Sequence, residues 1–152
     1  MVGKTSCLLR YVKKEFIKVQ ERTVNTSSLT KKLEIDSKVF ILNIFDTAGE
    51  EKFHALAPLF YRGADGAVII FDYTRRETFN RAQQWFEELY NFADNNPRTI
   101  LVGNKCDLSD KQIDQEEANN LAKKYNSNFM EASAFTGYNI NEIFLLQLYQ
   151  IY

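Results

Sequence analysis

A chain of 152 residues and 17.7 kDa fits one domain, and one of that size buries roughly 68–70% of the surface its unfolded form exposes. Its formal net charge of −1 supplies no field to draw in DNA or RNA, and its two cysteines, Cys7 and Cys106, imply no disulfide framework and read as small core or near-core residues in a reducing compartment. His54 is the single histidine, which argues against a histidine triad or a His-ligated zinc, while no apolar run reaches the ~20 residues of a membrane helix and the amino end does not read as a signal peptide.

The chain opens on Gly3-Lys4-Thr5-Ser6, and a helical pattern follows from about Lys4 to Lys13, with Leu8, Leu9 and Val12 on one side. Glu15 to Ser28 is polar and without period, long for a connector in a compact domain. Leu29 to Ile35 predicts a strand, Asp36-Ser37-Lys38 a hairpin turn, and Val39 to Phe45 a buried strand returning antiparallel. Glu51 to Arg62 reads as irregular and carries Pro58. Gly66 to Asp72 is a continuous apolar run ending in an acid, the pattern of a strand covered on both faces. Arg76 to Ala93 is predicted helical, with Phe79, Ala82, Phe86, Leu89 and Ala93 on one face and Trp85 and Phe92 as packing residues beside it. Thr99 to Asn104 is a further buried strand; Ala118, Leu121, Ala122 and Tyr125 mark a helix; Asn128 to Ala132 is a short strand; Ile140 to Ile151 is a last helix. Strands alternating with helices after one hairpin predict an α/β domain with a mostly parallel, doubly wound sheet.

Four loops carry chemistry. Gly3-Lys4-Thr5 is the end of the pattern G-x-x-x-x-G-K-[ST], in which backbone N–H groups cradle phosphates, the lysine reaches the outer phosphates and the hydroxyl binds Mg²⁺. Asp46-Thr47-Ala48-Gly49 follows a strand. A carboxylate there can hold Mg²⁺ through water, and a glycine can bring its N–H against a terminal phosphate, although D-x-x-G by itself is more often just a turn. Asn104-Lys105-Cys106-Asp107 also follows a strand. Its carboxylate, Asp107, can accept from the ring N–H and exocyclic amine of guanine, which adenine does not offer; the asparagine can brace base and loop, and the lysine stem can lie over the ring. Small residues in Glu131-Ala132-Ser133-Ala134-Phe135 let backbone N–H groups approach a ligand.

Taken together, Gly3-Lys4-Thr5-Ser6, Asp46-Thr47-Ala48-Gly49, Asn104-Lys105-Cys106-Asp107 and Ser133-Ala134 stand in the order and spacing of the Ras superfamily, and the chain resembles a Rab-type small GTPase over nearly all its length. Lys52 to Ala64 is similar to the switch II region of Rab proteins, with the character of the endocytic Rabs. The resemblance implies the P-loop NTPase fold and a role for each position. Lys4 would neutralise the β- and γ-phosphates. Thr5 and Thr23 would ligate Mg²⁺, Thr23 only in the GTP state, and Asp46 would hold the metal through water. The Gly49 N–H would sense the γ-phosphate, Glu50 would stand beside the attacking water, and Gly49, Glu50 and Lys4 would form the catalytic set. Gly3, Ser6, Ser133 and Phe135 would line the nucleotide; Asn104, Lys105 and Asp107 would select guanine, and the Ala134 N–H would bind its carbonyl oxygen. It further implies GTP or GDP as ligand and Mg²⁺ as cofactor. Exchange factors, activating proteins and effectors would be met through the Thr23 region and Lys52 to Arg62. It also implies a monomer in the cytoplasm or on endosomal and other vesicle membranes, acting in vesicle traffic.

Departures from the family qualify this. The family places a central strand and the first half of the phosphate loop before Val2, and a prenylated tail after the last helix. The expectation is therefore a chain truncated at both ends, which as given binds nucleotide weakly or not at all and has no lipid anchor. Glu50 replaces the glutamine that orients the attacking water, which predicts slow intrinsic hydrolysis. Phe135 replaces a lysine, and Asn25 and Ser28 stand where Rabs carry a glycine and a phenylalanine. The competing expectations are a degenerate Rab-like interaction module that does not cycle nucleotide, and another P-loop enzyme such as a nucleotide kinase, against which Asn104-Lys105-Cys106-Asp107 argues.

Overall fold

The computed structural model describes residues 1–18, 27–47 and 57–152. Strands alternate with helices: α1 (Lys4–Lys13), β1 (Ser27–Ile35), β2 (Lys38–Asp46), α2 (Ala57–Tyr61), β3 (Gly66–Asp72), α3 (Arg76–Phe92), β4 (Arg98–Asn104), α4 (Gln115–Lys124), β5 (Asn128–Glu131) and α5 (Ile140–Ile151). β3, β4 and β5 form a parallel sheet in that order, and β1 and β2 form a separate antiparallel hairpin. This is the expected α/β architecture of a Ras-like P-loop GTPase, with the hairpin and the parallel sheet as two pieces. Among the described residues β2 and β3 each pair with one strand only.

The hairpin turn is two residues long. Ile35 pairs with Lys38, and Asp36 and Ser37 both take positive φ, 50° and 63°. That backbone twist matches the twist of the flanking strands, and short polar side chains tolerate it better than most.

Period-two alternation splits the parallel sheet between two cores. Ile100 and Val102 of β4, with Val68 and Ile70 of β3, face α1 and α5 and meet Cys7, Leu8, Tyr11, Ile140, Ile143 and Phe144. Leu101, Ile69 and Phe71 point the other way, against Phe79, Ala82 and Phe86 of α3 and Ala118 and Ala122 of α4. A sheet covered by helices on both faces needs apolar residues at every position, which is why these strands read as continuous apolar runs. Cys7 is buried and Cys106 half-buried, and both are free thiols.

Three expectations are corrected. β2 is apolar but not buried: Val39, Ile41 and Phe45 are 54%, 66% and 52% exposed. Its other face packs on the first core through Ile44, as befits an antiparallel hairpin with one covered side. Phe92 is 48% exposed and packs little, because it is the last residue of α3; Trp85 does pack against the second core. Within Glu51 to Arg62, Ala57–Tyr61 is helical despite Pro58, since a proline in a first turn removes an N–H that has no intrahelical acceptor.

The second core hinges on Phe86, fully buried and stacked on Tyr125 with ring centroids 4.5 Å apart. Phe86→Ala should lower unfolding free energy by about 3–5 kcal/mol, read as a fall in the urea midpoint at unchanged slope.

Candidate nucleotide site

The carboxyl ends of β2 and β4, the start of α1 and the loop after β5 converge at one edge of the domain. Gly3 caps α1 with φ 89°, in the left-handed region that side chains resist. Space also requires a glycine there, because a Cβ would stand 2.5 Å from Asn104 Nδ2. The Cys7 N–H donates to Gly3 O at 2.9 Å and closes the first turn. The N–H groups of that turn have no intrahelical acceptor, and no acidic side chain occupies it, so the helix start favours an anion.

The half-buried Lys4, Thr5 and Ser6 make up this turn. The Thr5 hydroxyl donates to Asp46 Oδ2 at 2.6 Å, joining α1 to the end of β2. Asp46 is 5% exposed. Burial raises its carboxyl pKa above the ordinary range, against the opposing pull of the Thr5 hydrogen bond and the Lys4 charge. Burial likewise lowers the Lys4 pKa, with the Asp46 charge opposing. Both groups are thus desolvated, and each is held back from its charged form. A polyanion at Lys4 and a cation at Asp46 would reverse both penalties. A hydroxyl and a carboxylate are the hard oxygen donors that suit Mg²⁺, which takes one or two protein ligands alongside phosphate oxygens. Thr5 and Asp46 therefore fit that metal. Among the described residues no group of three His, Cys, Asp or Glu is placed to hold a metal by itself.

At the other end, Asn104 terminates β4 and is 1% exposed. Its Nδ2 donates to Val2 O at 2.9 Å, and its Oδ1 accepts from the Ala134 N–H at 3.1 Å. One amide thus ties the segment before Gly3 to the loop after β5. Arg10 of α1 reaches the same loop, donating from Nε to Ala134 O at 2.9 Å and from Nη2 to Phe135 O at 2.6 Å. Phe135 is 60% exposed and meets Phe16 edge to face at 5.3 Å, with the Arg10 guanidinium 5.5 Å from the Phe16 ring centre. Lys105 follows in a left-handed conformation, φ 63°, and Asp107 is exposed beyond it. Ser133 is fully buried, and its Oγ accepts from the Thr136 N–H at 3.1 Å, shaping the loop.

The structure thus brings together Gly3, Lys4, Thr5, Ser6 and Asp46 at one end, and Asn104, Lys105, Asp107, Ser133, Ala134 and Phe135 at the other. Thr23, Gly49 and Glu50 lie outside the described residues, as does Asn25. Asn104 braces the loops, with one Nδ2 proton on Val2 O and its oxygen on the Ala134 N–H. The Ala134 N–H donates to Asn104, so a ligand carbonyl at that position must share the N–H with the asparagine. The sequence reading also passed over Arg10 and Phe16. Arg10 left no motif because its acceptors are backbone carbonyls. Phe16 did leave a signal, a lone aromatic beside charged residues in Lys14-Glu15-Phe16.

A family model described as Ras family matches the chain over residues 1–152.

The buried Asp46 carboxylate gives a pH signature in the ligand-free protein. Its pKa is raised on folding, so it opposes stability fully above the folded-state value. That cost shrinks as pH falls through the raised value and is gone below the ordinary 3.8. Asp46→Asn should therefore stabilise the ligand-free protein at neutral pH, and the difference in melting temperature should close on acidification. The same variant should lose Mg²⁺-dependent tightening of nucleotide binding.

Proposed function

The chain belongs to the Ras family, a family of GTP-binding switches, and from that premise we propose that it is a Rab-type switch that binds GTP or GDP with Mg²⁺, hydrolyses GTP slowly and regulates vesicle and endosomal membrane traffic. The observation that carries the nucleotide reading is the convergence of Lys4, Thr5 and Asp46 with the loop of Asn104, Lys105 and Asp107 along one edge. Those two ends suit the two ends of a guanine nucleotide, phosphates at a helix start and a base beside an exposed carboxylate.

In this reading Lys4 offers its ammonium to the outer phosphates, which restore the charge that burial disfavours. Bound Mg²⁺ would neutralise phosphate charge, held by Thr5, Thr23 and, through water, Asp46. Thr23 and the Gly49 N–H sense the γ-phosphate, so hydrolysis releases both segments. Asp107 selects guanine by accepting from its ring N–H and amine. Glu50 adds negative charge beside the γ-phosphate and lacks the amide donor of a glutamine, which slows the intrinsic reaction.

The Rab assignment rests on Lys52 to Ala64 and on an apolar surface that effectors would read. Phe45 of β2 and Phe60 of α2 stand 5.5 Å apart, and Leu59 is 65% exposed next to them. Ser28, exposed at the start of β1, offers no ring to this surface, which favours a partner set narrower than that of other Rabs. The competing reading is an interaction module that does not cycle nucleotide; Glu50 in place of a glutamine favours it.

Competition against a fluorescent GDP analogue separates the readings. GTP and GDP should displace the probe, and ATP should not at about a hundredfold excess, with Asp107→Ala weakening binding by about tenfold or more. Failure of the full-length protein to take up the probe would leave the interaction module standing. For the chemistry, Glu50→Gln should hydrolyse bound GTP faster in single turnover, and equal rates would refute the role given to Glu50.

A further inference from the structure

Asp72 ends β3 and has no exposed surface. It belongs to none of the loops that carry the nucleotide reading. A carboxylate out of contact with water keeps its charge only beside donors and a counter-ion. Its Oδ1 accepts from the Thr74 N–H at 2.9 Å and from the Thr74 hydroxyl at 2.8 Å. Its own N–H donates to Thr78 Oγ1 at 2.9 Å, so the backbone beneath the side chain is fixed as well. Oδ2 has no hydrogen bond of good geometry. What stands against it is the Lys105 ammonium, 2.5 Å away, on a side chain 37% exposed.

The placement is informative. The register pairs Asp72 with Asn104, the residue before Lys105, so the ion pair bridges the carboxyl ends of two adjacent parallel strands. At its root Lys105 is set by the buried Asn104 and by a left-handed backbone conformation. At its tip it is set by Asp72. The aliphatic stem between is therefore held at both ends, beside Asp107, where the base is placed in the reading above. A solvated lysine would have to be ordered when a base arrived, and its rotamer entropy is large. Here the ordering accompanies folding, so the stem meets the ring prepared.

We infer that Asp72 is a positioning residue for nucleotide binding: through its ion pair with Lys105 it pre-orders the lysine stem against which the guanine base lies. The inference rests on the nucleotide reading. A carboxylate that merely capped the Thr74 turn would support the fold without acting through Lys105, and a double-mutant cycle separates the two.

The measurement is the release rate of a fluorescent GDP analogue from the full-length wild-type protein, Asp72→Asn, Lys105→Met and the double variant, with melting temperatures of the ligand-free forms. Asp72→Asn keeps the shape and can still accept from Thr74, but carries no charge. It should speed release about tenfold, the scale of one charged contact, and should add nothing in the Lys105→Met background. Undiminished acceleration in that background would mean that Asp72 only supports the fold and would overturn the inference. Unchanged release would overturn it too, and slower release would mean that Asp72 draws the lysine away from the base. If Asp72→Asn does not fold, Thr74→Val takes its place in the cycle, since it keeps both charges and removes one donor from Oδ1; a smaller acceleration, again abolished by Lys105→Met, is expected. The ¹⁵N signal of the Lys105 ammonium in the ligand-free protein should show slow proton exchange, and rapid, solvent-like exchange would contradict pre-ordering. A wild-type protein that takes up no fluorescent GDP overturns the nucleotide reading and this inference with it, whereas uptake with an indifferent Asp72→Asn overturns the inference alone.

Discussion

The Asn104 amide donates to Val2 O and accepts from the Ala134 N–H while almost wholly shielded from solvent. Both ends of the site hang on it. On one side it fixes the strand of backbone that leads into Gly3 and the phosphate-facing start of α1. On the other it fixes the loop whose carbonyls Arg10 holds and whose Phe135 ring meets Phe16. A buried polar group left without its partner costs about 1–3 kcal/mol, so the amide specifies one arrangement of three segments far apart in sequence. Gly3 completes the arrangement by leaving room for the amide nitrogen.

Around that tie, electrostatics prepare the site in two different ways. Lys4 and Asp46 are desolvated and each resists its charged form, a tension that only ligands of opposite charge relieve. Asp72 and Lys105 instead satisfy one another in the folded chain. The Lys4–Asp46 end is therefore poised toward charged ligands, and the Lys105 end is already ordered. Asp107 stands exposed beside that ordered end.

Much of this was legible in the residues. The parallel strands announced themselves because coverage on both faces demands unbroken apolar runs, as in Ile100-Leu101-Val102. The helix at Lys4 and the turn at Asp36 and Ser37 followed from local periodicity and turn chemistry. The loops at Gly3, Asp46 and Asn104 stood out as motifs because backbone geometry restricts such positions to few residue types, and the fold brings them to one edge. What was not legible depended on contacts between distant segments. Nothing local distinguishes the covered face of β2 from its exposed one, so Val39, Ile41 and Phe45 were misplaced. Asp72 read as the acid that bounds a strand, because the ammonium that gives it a purpose lies across a strand register. Asn104 was placed at the strand end, and only the fold shows that its amide braces Val2 and Ala134.

The way the hairpin is joined to the rest of the domain bears on the contact between Thr5 and Asp46. The ladder of β1 and β2 closes entirely between neighbours in sequence, Ser27 with Asp46 being its most widely separated pair, whereas β3 and β4 meet only across α3. Local ladders form and open as units of their own. The hairpin is fastened to the rest by side chains: the Thr5 hydroxyl on Asp46, the Lys31 ammonium on Tyr11 O and over its ring, and the packing of Leu29, Leu33 and Ile44 on the first core. Asp46 thus sits on the hairpin while Lys4 and Thr5 sit on α1. A ligand that engages both would add a tie between hairpin and helix to those the side chains already make.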